Sequence, residues 1–248
     1  MKTANKILIT AFVAMIVIMI AFMFYLRANL DFEVLEGSGN VIRKDVEVSD
    51  IQLINLRGRM SVELIQDTLC RLYIDADDNL MELVAVSLQD GELDVSLEKA
   101  VDKRATVNVF IHVQELEALN VSAGSTVHAG EALKGAYFDH HLQAGAKSTL
   151  HLQYDEVNLK LQAGALSTLS GMAQSLKAYS AAGAVIEAGK LKVTDCVIES
   201  RAGAVNNLYV TGTLSGSVGR GAVLHYRGDP ELKNFRQERG SSIEVKIN

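Results

Sequence analysis

The chain has 248 residues, of which 48% are apolar and 22% are charged, enough to bury the core of one or two domains. Residues 1–30 hold three of the 24 basic residues and no acidic one, which leaves 21 basic against 30 acidic residues in the rest. A body this acidic has no basic surface for nucleic acid, so we expect no nucleic-acid partner. Two cysteines are too few for a disulfide framework or a tetrahedral zinc site.

The chain begins with an apolar segment. Residues 7–26 contain no charge, and a helix of that length is about 30 Å long, the thickness of a bilayer's hydrocarbon core. A cleaved signal peptide is the alternative, but its apolar run is usually shorter, about 7–15 residues. We therefore predict a cytoplasmic N-terminus at 1–6, a transmembrane signal anchor at 7–26 and a linker at 27–36. On this interpretation the protein spans the membrane of a Gram-negative-type bacterium once, and its domain at 37–248 is periplasmic or on the cell surface.

Residues 37–117 have the pattern of strands, because they alternate apolar and polar residues or run apolar with β-branched ones. Asp90-Gly91 stands between two such runs and predicts a tight hairpin turn. The spacing is less regular here than in the rest of the chain. We interpret this segment as irregular coils and capping strands at the first end of a β-structure.

Residues 118–226 contain an internal repeat. Six similar segments recur at intervals of 18 to 21 residues, a period typical of solenoids. Their reference glycines are Gly124, Gly145, Gly164, Gly183, Gly203 and Gly221. Each coil must turn a corner, and glycine reaches positive φ and permits close backbone approach without steric cost. We therefore predict that these six glycines are structural corner residues.

The residues around each glycine alternate with period two. Positions three, five and seven before it are mostly apolar or small, whereas the fourth residue on either side is mostly polar. The offset places Leu159 in an inward row, between His140 of the preceding coil and Ala178 of the next, and it places Lys160 outside. This periodicity predicts an all-β fold, a single-stranded right-handed parallel β-helix with about 19–20 residues per coil. Residues 227–248 are predicted to cap its second end.

Several segments carry a family resemblance: YIDADDNL, the turn DGEL, the glycine-centred coils and YRGDP near the C-terminus. In this order the chain resembles the "putative auto-transporter adhesin, head GIN domain" family over residues 36–248. Its corners read Ala-Gly-Ala where Gly-Ser-Gly is usual in the family. The resemblance implies a β-solenoid outside the cytoplasm and a role in adhesion. It supplies no catalytic residue.

Four histidines lie near one another in the sequence. His140 falls in an inward row, whereas His128, His141 and His151 belong to outward rows at different corners. A metal site needs three or four converging ligands. We therefore interpret them as three surface histidines and one partly buried, and we predict no bound metal.

Three further motifs have plain structural interpretations. Cys196 falls in an inward row and predicts a core thiol, and nothing in the spacing pairs it with Cys70. Residues 75–79, DADDN, resemble a calcium loop but lack the glycine and the distal glutamate of an EF-hand, so they predict a solvated turn. Residues 227–229 spell Arg-Gly-Asp, a tripeptide that integrins read, in the turn that leaves the last coil.

Three classes of function remain open. The first is a non-enzymatic, membrane-anchored module, adhesin-like or structural, whose outward faces engage a protein or cell-envelope material. The second is a scaffold that polymerises end to end through uncapped strand edges. The third is a polysaccharide-acting β-helix enzyme, which needs clustered carboxylates or metal ligands in a groove. The outward rows are small, mixed and unclustered, and there is no tryptophan to stack on sugars. The sequence therefore favours the first class, with the membrane as one partner, no cofactor, and the oligomeric state open.

Overall fold

The computed structural model describes residues 3–29 and 34–246, and the chain divides into two compact units, 1–34 and 35–248. About 62% of the protein is strand. Three parts of the sequence predictions lie outside the described residues: 1–2 of the cytoplasmic segment, 30–33 of the linker and 247–248 of the C-terminal cap.

The first unit is formed by one helix, α1 (Thr3–Asn29), of 27 residues. Within it, Leu8–Tyr25 is long and apolar enough to cross a membrane by its length and composition. Large apolar side chains such as Phe12 and Phe24 are exposed along it. The predicted N-terminal apolar helix is confirmed.

The second unit is built of strands. Its described part contains sixteen strands and the short helix α2 (Asp78–Met81). The strands are β1 (Val41–Val46), β2 (Leu53–Arg57), β3 (Ser61–Gln66), β4 (Arg71–Asp77), β5 (Val84–Gln89), β6 (Glu92–Leu97), β7 (Val107–Val113), β8 (Ala118–Ser122), β9 (Thr126–Leu142), β10 (Lys147–Leu161), β11 (Leu166–Ser180), β12 (Val185–Ser200), β13 (Val205–Val218), β14 (Val223–Arg227), β15 (Glu231–Gln237) and β16 (Ser242–Val245).

The regular half is a stack of long parallel strands, in which β9 to β13 pair in chain order. Equivalent residues lie side by side from coil to coil, so Leu159 pairs with His140 on one side and with Ala178 on the other. Leu159 is buried and Lys160 is exposed, as the period-two pattern predicts. The β-solenoid prediction is confirmed, and the solenoid has about seven turns.

The core of the solenoid is continuous and belongs to the second unit. The buried apolar side chains of the described residues lie between Ile51 and Leu224. Stacked Leu, Val, Ile and Ala side chains fill the inside of each coil, and removal of this area from water is the main stabilising contribution. Because the described side chains of this core all lie within residues 35–248, the second unit contains the core that it needs to fold by itself.

Each coil turns at its reference glycine and the residue before it. The six reference glycines have φ between 72° and 78°, and the preceding alanines, such as Ala163 at 51°, are left-handed too. The glycine N–H donates to the next coil, as from Gly145 to the carbonyl of Ala163 at 3.1 Å. A Cβ would meet nothing within 4 Å at Gly124, Gly145, Gly164, Gly183 and Gly203. The expectation of close backbone approach is therefore wrong at these corners, and positive φ is what favours glycine.

The unequal repeat intervals are absorbed by β-bulges in the first part of the strands, a few residues after the turn glycines. The register between β9 and β10 shifts between Thr149 and His151, and that between β11 and β12 shifts between Thr168 and Ser170. The pair β12 and β13 has similar shifts. A bulge accommodates extra residues with a local bend, so the stacked rows on either side of each turn stay aligned.

In the first half, chain order and stacking order differ. β2 and β3 form one coil, which pairs on one side with β6 and β7 and on the other with β8 and the start of β9. The chain therefore leaves this coil, builds the β6–β7 coil outside it, and returns past it to β8. Asp90-Gly91 turns between β5 and β6, which are antiparallel, so the hairpin prediction is confirmed.

The two ends of the solenoid differ. At the first end, antiparallel strands β1 and β4 extend the layer of β7, and α2 buries Leu80 and Met81. At the second end, β15 pairs with β13 and β16 pairs with β14. No described residue pairs with the outer edges of β15 and β16. The described part of residues 227–248 thus adds one further layer, whose outer edges are open.

Candidate functional site

A polar groove of about 670 Å³ crosses the outward face of β6, β2, β8, β9 and β10. We call it the amide groove. Its polar lining consists of four amides, Asn55, Asn120, Gln143 and Gln162, two carboxylates, Glu92 and Asp94, two cations, Arg57 and Lys160, and His141 with Ser96 and Ser122.

One row of the groove takes a single residue from each strand. The register makes successive neighbours of Asp94, Asn55, Asn120, His141 and Lys160. Adjacent strands in a sheet are about 4.8 Å apart, so the row presents a polar group at each step along the solenoid. Its chemistry changes in order from carboxylate through amide and imidazole to ammonium.

Hydrogen bonds hold the acidic end of the groove. Nδ2 of Asn55 donates to Oε1 of Glu92 at 2.5 Å and to Oδ1 of Asp94 at 2.9 Å. Nδ2 of Asn120 donates in turn to Oδ1 of Asn55 at 2.8 Å. These bonds orient both asparagines and keep the two carboxylates in place, which reduces the entropy lost when a ligand binds.

The basic end of the groove has side chains with unused hydrogen-bonding capacity. Gln143, Lys160 and Gln162 line this end, near β9 and β10, and form no side-chain hydrogen bond or ion pair with the described residues. Arg57 of β2, beside the acidic strand β6, forms none either. Together the four side chains offer two cationic groups and two amides, each amide with a donor and an acceptor. The groove therefore combines an oriented acidic end with a basic end that is free to bind.

A second concavity of about 550 Å³ lies towards the C-terminal end. Its polar groups bond to one another around Asn207, which donates from Nδ2 to Oε2 of Glu187 at 2.8 Å and accepts at Oδ1 from Nζ of Lys246 at 3.0 Å. Nδ1 of His225 lies 3.0 Å from the same oxygen. Because these partners are already satisfied within the protein, the amide groove is the stronger candidate.

The histidines are separated rather than clustered. His140 is completely buried, more than the partial burial expected, with Nδ1 at 2.9 Å from the carbonyl of Leu119 and Nε2 at 2.9 Å from Oγ of Ser148. Burial lowers the pKa of His140 to about 4, because a charged ring would lose its hydration. The other three, His128, His141 and His151, lie on the outer surface. Among the described residues, no group of three or more His, Cys, Asp or Glu could hold a metal ion.

The prediction of a solvated turn at DADDN is wrong. Asp75 lies in β4 and forms a bidentate ion pair with Arg43 of β1, with both N–O distances 2.7 Å. The Arg43 guanidinium holds the pKa of Asp75 below its usual value. Asp77 is buried and accepts hydrogen bonds from the backbone N–H groups of Gly39 at 2.9 Å and Thr106 at 2.7 Å. These carboxylates fasten the first end of the solenoid.

The remaining motifs have structural roles. Cys196 is a buried core thiol, as predicted, and burial raises its pKa to about 12. Cys70 is half-buried, and both thiols are free. In the Arg-Gly-Asp tripeptide, Arg227 ends β14 with its guanidinium 4.3 Å from the centre of the Tyr209 ring, and Gly228 turns with a φ of 96°. The arginine therefore lies against an aromatic ring of the preceding coil.

Comparison with known families identifies this arrangement. The family model described as "Putative auto-transporter adhesin, head GIN domain" matches residues 50–230. The chain belongs to the head GIN domain family. The resemblance seen in the sequence is thus confirmed, and the amide groove of this head GIN domain lies wholly within the matched residues. No curated protein matches the chain.

The head GIN domain fold recurs in crystal structures. A "putative adhesin" from Bacteroides fragilis NCTC 9343 is 20% identical with a TM-score of 0.79, over 86% of this chain and 100% of that one. A "putative adhesin" from Parabacteroides merdae ATCC 43184 is 17% identical with a TM-score of 0.66, over 87% and 100%. A "putative lipid binding protein" from Parabacteroides distasonis ATCC 8503 is 19% identical with a TM-score of 0.66, over 86% and 100%. At these identities the likeness shows the fold alone.

Only part of the head GIN domain's groove could be placed from the sequence. Asn120, His141 and Lys160 are placed outward by their fixed offset from the turns. Asn55 and Asp94 complete the row, but they precede the regular repeat, where alternation indicates a face without indicating the neighbouring strand. The polar residues in LINLR and ELDVSL were the available signal, and they did not reveal that the two strands lie side by side.

Proposed function

We propose that this protein is a non-enzymatic, membrane-anchored binding module of the cell envelope, and that it holds an extended polar ligand in the amide groove. The observation that carries the proposal is the division of the groove into an oriented acidic end and an unpartnered basic end. An extended molecule with hydrogen-bonding groups and both charges would satisfy both ends at once. The family description supports a binding role.

The polar groups of the groove support binding rather than catalysis. Glu92 and Asp94 both accept hydrogen bonds from Asn55. The hydroxyl of Ser122 donates to the carbonyl of Leu56 at 3.3 Å rather than to a base that would activate it. Nε2 of His141 lies 3.1 Å from Oδ1 of Asp139, outside the row. This set offers positions for hydrogen bonds and no paired nucleophile and base.

An end-to-end scaffold is less well supported. Coil-on-coil polymerisation needs two complementary parallel edges. The first end of the solenoid carries antiparallel strands and the buried pair Leu80 and Met81, so it differs from the open layer at the second end. The difference between the two ends therefore favours the binding module over the scaffold.

The test compares two lysines of one strand. Lys160 lines the groove near one end of β10, and Lys147 is exposed at the other end of β10, outside the groove. The intact protein, Lys160→Glu with Gln162→Ala, and Lys147→Glu are incubated with fractionated envelope polysaccharide, lipid and protein. We expect the intact protein and Lys147→Glu to retain one fraction equally, and the groove variant to retain at least about tenfold less. Equal retention by all three proteins, or turnover of a sugar fraction, would contradict the proposal.

A further inference from the structure

The second end of the solenoid exposes an unusual edge at β15. This strand pairs with β13 on one side, and no described strand pairs with its other side. Leu232 is 52% exposed, although it continues the inward row of Leu214. Phe235 packs against the core and is only partly buried. The last layer therefore leaves part of its apolar face in water, where a further strand would cover it.

A β-bulge at Asn234 determines which side chains of β15 face inward and which face outward. Its register pairs Lys233 with Ser215 and Phe235 with Gly216, so Asn234, with a φ of 49°, is the extra residue. Leu232 and Phe235 consequently lie on the same, inward face of the strand. The charged residues, Glu231, Lys233 and Arg236, lie on the outward face, where Lys233 Nζ is 3.0 Å from Glu231 Oε2.

The register also shows which backbone groups of β15 are free. The N–H of Glu238 donates to the carbonyl of Val218 at 2.9 Å, so Val218 directs its backbone groups towards β15. Successive residues of a strand in a parallel sheet direct their backbone groups alternately to one side and the other. The residues of β13 that direct theirs towards β15, as Val218 does, are those that pair with Leu232 and Phe235. The backbone groups of Leu232 and Phe235 therefore point to the open edge, while those of Glu231 and Arg236 point to β13.

We propose that two copies of this chain pair through β15, antiparallel, about a two-fold axis between Lys233 and Asn234. In this register Leu232 lies opposite Phe235 of the second copy, and Glu231 lies opposite Arg236 of the second copy. The first pair joins two apolar inward residues whose backbone groups face the edge, so it is a hydrogen-bonded pair. The second joins opposite charges on the outward face and is a non-hydrogen-bonded pair, in which side chains approach more closely.

A second copy fits this edge better than an unrelated strand. Each contact occurs twice in a two-fold interface, so the pairing contains two ion pairs and two apolar pairs from one seven-residue strand. Shifting the register by one residue would place Leu232 opposite Asn234 or Arg236 and lose both matches. Charges and bulges also protect strand edges from pairing, but here their positions match the same strand reversed.

The experiment measures self-association of the second unit, 35–248, whose core is complete without α1. Sedimentation equilibrium over a wide concentration range gives the dimer dissociation constant. Arg236→Glu and Glu231→Arg each place like charges opposite one another twice, and the double variant restores opposite charges in reversed order. Arg239→Glu is the matched control, since Arg239 is exposed in the turn after β15. These positions are exposed, so we expect every variant to retain the fold. Thermal melting of each variant checks this.

We expect a dimer for the unaltered unit and for Arg239→Glu. Each single reversal should weaken it at least about tenfold, and the double variant should return to within about threefold of the unaltered unit. A unit that remains monomeric into the millimolar range would overturn the proposal. A dimer that is indifferent to the single reversals would place the interface elsewhere and overturn it as well. Neither result would bear on ligand binding in the amide groove.

Discussion

Nε2 of His140 lies 2.9 Å from Oγ of Ser148, which lies 2.8 Å from Oγ of Ser167 in the next coil. All three side chains are buried inside the apolar solenoid. A neutral imidazole and two hydroxyls can satisfy one another by donating and accepting in turn. Burial lowers the pKa of His140, because a protonated ring would place a charge in the core, where no carboxylate of the described residues stabilises it.

The burial of this hydrogen-bonded group, His140 with Ser148 and Ser167, predicts a loss of stability at mildly acidic pH. The pKa of His140 falls from 6.5 to about 4 on folding, so between these values the unfolded chain binds a proton that the folded chain does not. The free energy of unfolding therefore decreases as the pH falls from about 6.5 to about 4, by on the order of 3 kcal/mol in total from this residue. Urea denaturation at pH 7.5, 6 and 5 measures the decrease.

The matched variants are His140→Gln and His141→Gln. The first removes the buried titrating group, so its stability should be lower at pH 7.5 but depend less on pH down to 5. The second changes a half-exposed ring on the outer face and should keep the pH dependence of the unaltered protein. Parallel stability curves for all three proteins would show that His140 is not the titrating group.

Substitution of two glycines that have positive φ should lower the free energy of unfolding by different amounts. Gly164 has a φ of 72° and open space around a Cβ, so Gly164→Ala should cost only the left-handed conformation, about 1–2 kcal/mol. Gly171 has a φ of 105°, and a Cβ there would overlap the carbonyl oxygen of Leu152. Gly171→Ala should therefore cost more, at least about 3 kcal/mol. Equal shifts of the denaturant midpoint would mean that close backbone approach adds nothing at Gly171.

The sequence was sufficient for features that local spacing encodes. The distance from a glycine and the period of two place Leu159 inside the solenoid, because a strand alternates faces and the coils stack in register. The contact of Asn55 with Asn120 joins residues 65 positions apart, and no periodicity indicates that β2 lies beside β8. Periodicity likewise does not indicate the ion pair of Asp75 with Arg43. This ion pair holds the first end of the solenoid together where the sequence predicted a solvated turn.

The two cysteines should react differently. Burial raises the pKa of Cys196 to about 12, so at pH 8 its reactive thiolate is scarce and shielded. Cys70 is half-buried and free. We expect a thiol reagent such as DTNB to label one cysteine per native chain and two in urea. Labelling of the Cys70→Ser variant in its native state would contradict the assignment.

The apolar helix α1 predicts retention of the N-terminus. Since Leu8–Tyr25 is long enough to cross a bilayer, we expect the mature protein to begin before residue 7 and to stay in the membrane after a high-salt wash. N-terminal sequencing and fractionation measure both properties. A soluble mature chain that begins after residue 26 would show that the helix is a cleaved signal.

The solenoid register underlies the groove, the turns and the proposed edge pairing, and Leu159 with Lys160 tests it most directly. Leu159 is 2% exposed between His140 and Ala178, so Leu159→Asp buries an unpaired carboxylate and should cost more than about 4 kcal/mol. Lys160→Asp exchanges one solvated charge for another and should change stability by less than about 0.5 kcal/mol. The measurement is the denaturant midpoint of both variants of residues 35–248. A larger loss for Lys160→Asp than for Leu159→Asp would contradict the register.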